Sequence, residues 1–233
     1  MIKTSSRMVW LAAAAIAAMG MVGSTAFAQG KKDAGVASQP TVAGAPPMEA
    51  PNAEVTGFRS AKFGMSEKDV RAAIAKDFNV KPDAIRSETN PSEQTHVLLV
   101  KASGVLPGGG TAEISYVLGF KSKTLIQVGV AWSKQTDDKM TPEQLFSNSS
   151  ILRAHFVSAG YKPDTVASNM PINGGLLMFR GSDDKGRTTI LILQGSVAQG
   201  ENNQRVLTPS GLLLFYVADA KTPDIYRLPP GSF

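Results

Sequence analysis

The side chains able to do chemistry are few and scattered. The chain has 233 residues, two histidines and no cysteine. His96 opens an apolar run that reads as a strand, and His155 lies beside the apolar stripe of a helix. Either imidazole could serve as a general base. Two histidines on separate elements, with no thiolate, do not make a zinc site, and no His-Glu-x-x-His spacing occurs. Asp137-Asp138 and Asp183-Asp184 are sequence neighbours whose carboxylates diverge in most backbones. Neither pair continues into the alternating oxygen ligands of a calcium loop, so both read as solvated turns. Ser149-Ser150 falls inside a helical pattern, not in the G-x-S-x-G elbow that activates a hydrolase serine. Gly108-Gly109-Gly110 lacks the Lys-Ser/Thr of a phosphate loop and separates two strand patterns, which makes it a turn. Carboxylates for sugar hydrolysis meet in space rather than in sequence, and nothing singles out a pair. The sequence assigns no catalytic residue, no metal ligand and no cofactor site, and the expectation is a protein that is not an enzyme.

The elements that would position any site follow a helix-then-strands order. Ser66 precedes Val70, Ala73, Ile74 and Phe78, spaced by three and four, with Asp69 placed to close a capping box. A Lys81-Pro82-Asp83 turn leads to strand candidates at 96–101, 111–120 and 124–133, joined by the glycine run and by Lys121-Ser122-Lys123. A second helix opens on Thr141, Pro142 and Gln144 and carries Leu145, Leu152, Phe156 and Ala159 on one face. Lys162-Pro163-Asp164 then leads to strand candidates at 175–180, 187–194 and 210–219, with 197–203 as a polar loop. The expected fold is α+β: two tandem α-then-antiparallel-meander units, 57–133 and 141–219, forming one domain with both helices packed on one face of the sheet. Residues 220–233 form a tail.

Before residue 57 the composition changes. Lys3 and Arg7, the uncharged apolar run 8–22 and Ala26-Phe27-Ala28 read as an export signal cleaved after Ala28. The apolar run is short for a membrane span, so none is expected in the mature form. Residues 29–56, with Pro40, Pro46, Pro47 and Pro51 among small residues, read as a disordered Pro/Ala-rich linker. The implied location is periplasmic or secreted, and without cysteine the fold holds by its core alone. The formal charge of +5 falls by two when Lys3 and Arg7 leave. No dense basic stripe of the nucleic-acid-binding kind remains.

Strand alternation makes one further separation. If both helices share one face, the other face is bare. Ile114, Tyr116, Leu118, Val128, Val130 and Trp132 form the set expected under the helices, with Glu113, Ser115, Val117, Gln127 and Gly129 opposite. In the second unit Ile190, Ile192, Leu212, Leu214 and Tyr216 are the expected core. The opposite parity gives Leu191, Leu193, Leu213, Phe215 and Val217. Together with Gln127 these five are the expected binding residues, because a large apolar patch on a monomer marks an interaction site.

The run FGMSEKDVRAAI, residues 63–74, resembles the opening of envelope proteins of the SmpA/BamE outer-membrane-assembly type. Two helix-then-sheet units in tandem resemble the β-lactamase inhibitory protein architecture. The resemblance implies a protein-binding module without catalysis, and in the inhibitor the concave sheet face grips a protein loop. Only Gly64, Met65, Ser66 and Val70 carry over, as a helix start. This chain lacks both the lipid-anchoring cysteine of the first family and the paired cysteines of the second. The expected function is an exported periplasmic protein-binding module, in envelope assembly or inhibition, with an unidentified envelope protein as partner. The alternatives are a periplasmic lipid or small-molecule carrier and a carboxylate-based envelope hydrolase.

Overall fold

The computed structural model describes residues 52–199, 205–228 and 231. The expected export signal and nearly all of the expected linker lie outside the described residues.

The first helix, α1 (Glu67–Phe78), starts where Ser66 takes the extended conformation and its hydroxyl accepts from the Asp69 N–H. Glu67 and Asp69 place negative charge at the positive end of the helix dipole. Asn79 ends it in the left-handed conformation at φ 50°. The second, α2 (Pro142–Val157), is capped by Thr141 accepting from Gln144 N–H, with proline at the first turn. A single 3-10 turn follows each helix, at Pro82–Ala84 and Pro163–Thr165.

The strands are β1 (Gly57–Phe58), β2 (Ala61–Lys62), β3 (Arg86–Thr89), β4 (His96–Ser103), β5 (Thr111–Leu118), β6 (Leu125–Ser133), β7 (Met170–Ile172), β8 (Gly175–Ser182), β9 (Thr188–Gln199) and β10 (Arg205–Val217). β1 and β2 form a small ribbon. The other eight make one antiparallel sheet in the order β3-β4-β5-β6-β10-β9-β8-β7. This overturns the expected two tandem α-then-meander units. β6 and β10 are joined by seven register pairs, from Gly211 with Ser133 to Val217 with Gln127, so the sheet runs unbroken through its middle. The fold is a large sheet carrying two α-helices. Its two edge strands fall where the sequence reads as connections: Arg86–Thr89 is too polar, and Met170–Ile172 too short and proline-bearing, to show a strand period.

Residues expected as a polar loop, 197–203, also read differently in space. β9 continues to Gln199 and β10 begins at Arg205, so the hairpin runs past its neighbours as a two-stranded arm. Gly195 and Pro209, just outside the strand candidates 187–194 and 210–219, face each other there, next to the register shift between Pro209 and Gly211. β10 has left β6 by that point, so a proline is tolerated.

Both helices lie on one side of the sheet. Val70, Ala73 and Ile74 of α1 and Leu145 and Phe156 of α2 join Ile114, Tyr116, Trp132, Leu212 and Leu214 in the main core. The β1–β2 ribbon packs on the same side, with Phe58 stacked on Tyr216 at 5.7 Å. Arg59, at φ 50°, donates to Asp77 O and Gly104 O, while the Asp77 carboxylate accepts from Ser60 N–H. The last residues of the expected linker already belong to the fold. Val55 is buried, its N–H donates to Asp183 Oδ2 at 3.0 Å, and Ala53 N–H donates to Gly160 O.

Asp183 thus has a structural task. It is buried, and it also accepts from Lys185 N–H, Arg187 N–H and Arg187 Nε, the last at 2.7 Å. Burial pushes its carboxyl up, but the hydrogen bonds from Val55 and Arg187 outweigh this and hold it below the usual carboxylate range. A depressed carboxyl stabilises the fold fully above the ordinary aspartate value and loses that contribution as pH falls through the folded one. Asp183→Asn is expected to lower stability at neutral pH by about 1.5–3 kcal/mol. The gap from the parent protein should narrow below about pH 4. Denaturant unfolding at pH 7 and pH 3 checks both; equal gaps at the two values would assign the stabilisation to something other than this charge.

Candidate functional site

The helix-free face of the sheet is the candidate site, and its residues follow from the register. Side chains directly opposite across antiparallel strands share a face. Val217 pairs with Gln127, Phe215 with Gly129 and Leu213 with Ala131 across the β6–β10 seam. On the other side Leu213 pairs with Ile192 and Phe215 with Ile190, and β8 adds Leu177 opposite Ile192 and Arg180 opposite Ile190. Leu177, Ile190, Leu213, Phe215 and Val217 form a second apolar cluster, separate from the main core, with Ala131, Ile172, Ile192 and Ala220 packed at its border. It contains no helix residue.

Of the expected binding residues, Leu213, Phe215, Val217 and Gln127 lie on this face. Leu191 and Leu193 do not. They pair with Leu214 and Leu212 and sit in the main core beneath the helices, both at 0% exposure. Ile190 and Ile192, expected in that core, take the helix-free face instead. The cause is the composition of β9. Residues 190–193 are apolar without a break, so alternation carries no parity, and a one-residue slip exchanges the two faces.

The face is apolar, and its large side chains are little exposed. Phe215 is only 3% exposed. Its ring lies over Gly129, where an added Cβ would come within 3.2 Å of the ring and 2.7 Å of Ser115 Oγ. Gly129 is therefore the socket for Phe215, a pairing that a sequence pattern cannot show. Val97 and Leu99 of β4, absent from the expected set, extend the surface opposite Val117 and Ser115. Charge stands at the ends. Arg86 and Glu113 form a 2.7 Å ion pair near one edge, with Lys101 opposite Glu113, and Arg180 lies toward the other edge.

The dispersed chemical side chains stay dispersed. His96 Nε2 lies 3.6 Å from Glu67 Oε2 at the start of α1, and His155 is exposed at the end of α2, edge-on to Phe156. Asp137 holds the N–H groups of Thr111 and Lys139, which depress its carboxyl. The Ser149 and Ser150 hydroxyls both donate back to Phe146 O within their own helix. Asn148 Nδ2 donates to Gly109 O, fixing the glycine turn. Among the described residues no three histidine or acidic side chains are grouped to hold a metal, and no helix is long and apolar enough to cross a membrane.

Comparison with protein-family models, with curated proteins and with solved structures finds no match for this chain.

The face assignment separates neighbouring residues of one strand. Leu193→Ala is expected to cost about 2–5 kcal/mol, as for a large-to-small change in a closed core. Ile192→Ala, at the half-buried border of the second cluster, should cost about half as much. Chemical denaturation of the two variants checks the order, and the reverse order would restore the opposite parity.

Proposed function

We propose that the protein is a non-catalytic protein-binding module whose helix-free sheet face receives the partner. The observation that carries this reading is the second apolar cluster around Phe215. It occupies the middle of a broad sheet, no described helix packs on it, and its charged side chains stand at the ends rather than converging. An apolar centre with a polar rim is the anatomy of a recognition surface. Catalysis by acid–base pairs would instead need titratable groups brought together. The likeness of residues 63–74 to the SmpA/BamE type, and the export signal read from 1–28, favour a partner in the bacterial envelope and a periplasmic or secreted location.

The test is capture of a partner from an envelope extract with the tagged mature protein, compared with variants at half-buried positions on the face. Gln127→Arg and Ala131→Arg insert a long charged side chain without removing core volume. The expected outcome is one stoichiometric protein, lost with both variants while their melting temperatures stay within about 4 °C of the parent's. A partner retained by both variants would move the interface elsewhere, and recovery of lipid alone would favour a carrier.

A further inference from the structure

The helix-free face carries one charged side chain that the rest of the fold does not answer. The register row through Phe215 begins at Arg86 on β3 and ends at Ile190 on β9 and Arg180 on β8. Arg180 is half-buried, and its outer neighbour is Ala167, held by an antiparallel bridge. Ile190 belongs to the second apolar cluster and Ala167 packs at its border, so Arg180 stands between two apolar neighbours. Among the described residues no carboxylate forms an ion pair with it. The half-buried Arg71 and Arg187 do have partners, Glu67 and Asp183. Arg153 also lacks one, but it stands on α2 and away from this face. The far end of the row is settled within the chain, where Arg86 holds Glu113 at 2.7 Å and Glu88 at 3.6 Å.

We propose that Arg180 is the specificity-determining residue of this face, and that it takes a protein segment bearing a carboxylate beside apolar side chains. On the reading of the face as the partner-binding surface, on which this proposal rests, charge decides the kind of partner. A guanidinium offers a planar fork of donors that matches a carboxylate with two parallel bonds. Arginine is enriched in protein interfaces for that reason. The face as a whole is nearly neutral. Arg86 and Lys101 stand against Glu88 and Glu113 at one end, which leaves Arg180 as the one net charge of these rows. An anionic membrane surface is met by several basic residues, each adding a little, whereas one unanswered arginine suits one carboxylate. Arg180 lies two strand spacings, about 10 Å, from Phe215. An extended partner chain covers that distance in about three residues. The partner's acid therefore lies within about four positions of the apolar residue that meets the cluster.

A displayed library of random short peptides, panned on the mature protein, supplies the probe. The enriched peptides are expected to carry Asp or Glu within about four positions of a large apolar residue. Synthetic copies should bind Arg180→Gln about tenfold or more weakly than the parent. Panning on Arg180→Glu should enrich Lys or Arg in place of the acid. Arg180→Lys keeps the charge and the stem but loses the fork, so its affinity should fall between those of the parent and Arg180→Gln; it carries the test if the Gln variant fails to fold. Melting temperatures within about 4 °C of the parent's mark a lost contact rather than a lost fold. Enriched peptides without an acid, or with equal affinity for the parent and the Arg180 variants, would overturn the role of Arg180. If Gln127→Arg still abolished their binding, the face itself would stand. Peptides indifferent to Gln127→Arg and Ala131→Arg as well would remove the face. Binding to phosphatidylglycerol vesicles that Arg180→Gln abolishes, with no acidic peptide enriched, would overturn the proposal in favour of a lipid headgroup.

Discussion

The rest of the structure depends on the hydrogen-bonded seam between β6 and β10. It joins two segments far apart in sequence and turns what would be two small meanders into one sheet. The seam strands are buried on both faces. Val128, Val130 and Trp132 meet Leu212 and Leu214 on the helix side, while Gly129 and Ala131 meet Phe215 and Leu213 on the other. A strand buried on both faces reads as a continuous apolar run, and residues 211–217 are such a run. Without the seam, Gly129 would have no ring to receive and the second cluster would lose its middle.

The helix side shows what that seam demands of its cover. α1 and α2 leave the centre of the sheet between them, and the β1–β2 ribbon lies there, with Phe58 on Tyr216. A two-stranded ribbon is marginal alone, so its ends are tied by charge-assisted bonds. Arg59 and Asp77 hold the turn against the end of α1, and Asp183 holds the entering chain. Phe156, Tyr161 and Phe179 then close the side beneath α2 by ring contacts of 5.1 to 6.4 Å. The buried charge at Asp183 therefore serves the placement of a cover over the core, not chemistry.

These features are unequally legible in the sequence. Helix starts are plain, because Ser66 and Thr141 act through local hydrogen bonds that residue type and spacing specify. β5 and β6 are plain where polar and apolar residues alternate. The seam is not, because strand neighbours separated by a long stretch of chain leave no local signal. The faces of β9 come out reversed because residues 190–193 are apolar on both sides and only the register with β10 decides between them. The arm is hidden by Gly195 and Pro209, which signal a break when a strand is assumed to have two neighbours. The site is legible to the extent that it rests on β10 and Gln127, and illegible where it rests on β9 and on Gly129.

Apolar composition by itself does not distinguish surfaces that recognise partners from surfaces that have satisfied themselves. The cluster around Phe215 is apolar, yet Leu177, Ile190, Leu213, Phe215 and Val217 are each only 3–6% exposed. On the proposed reading, no single residue there carries the binding, and the gain comes from water displaced over a broad area. The outer side of α2 carries apolar residues of another kind: Phe146, Ile151 and Val157 are 50–56% exposed and project into solvent. The two faces follow from backbone geometry. In a sheet of many strands, side chains roughly 5 to 7 Å apart on every side shield one another, whereas a lone helix on a surface has no neighbour to shield its outer residues.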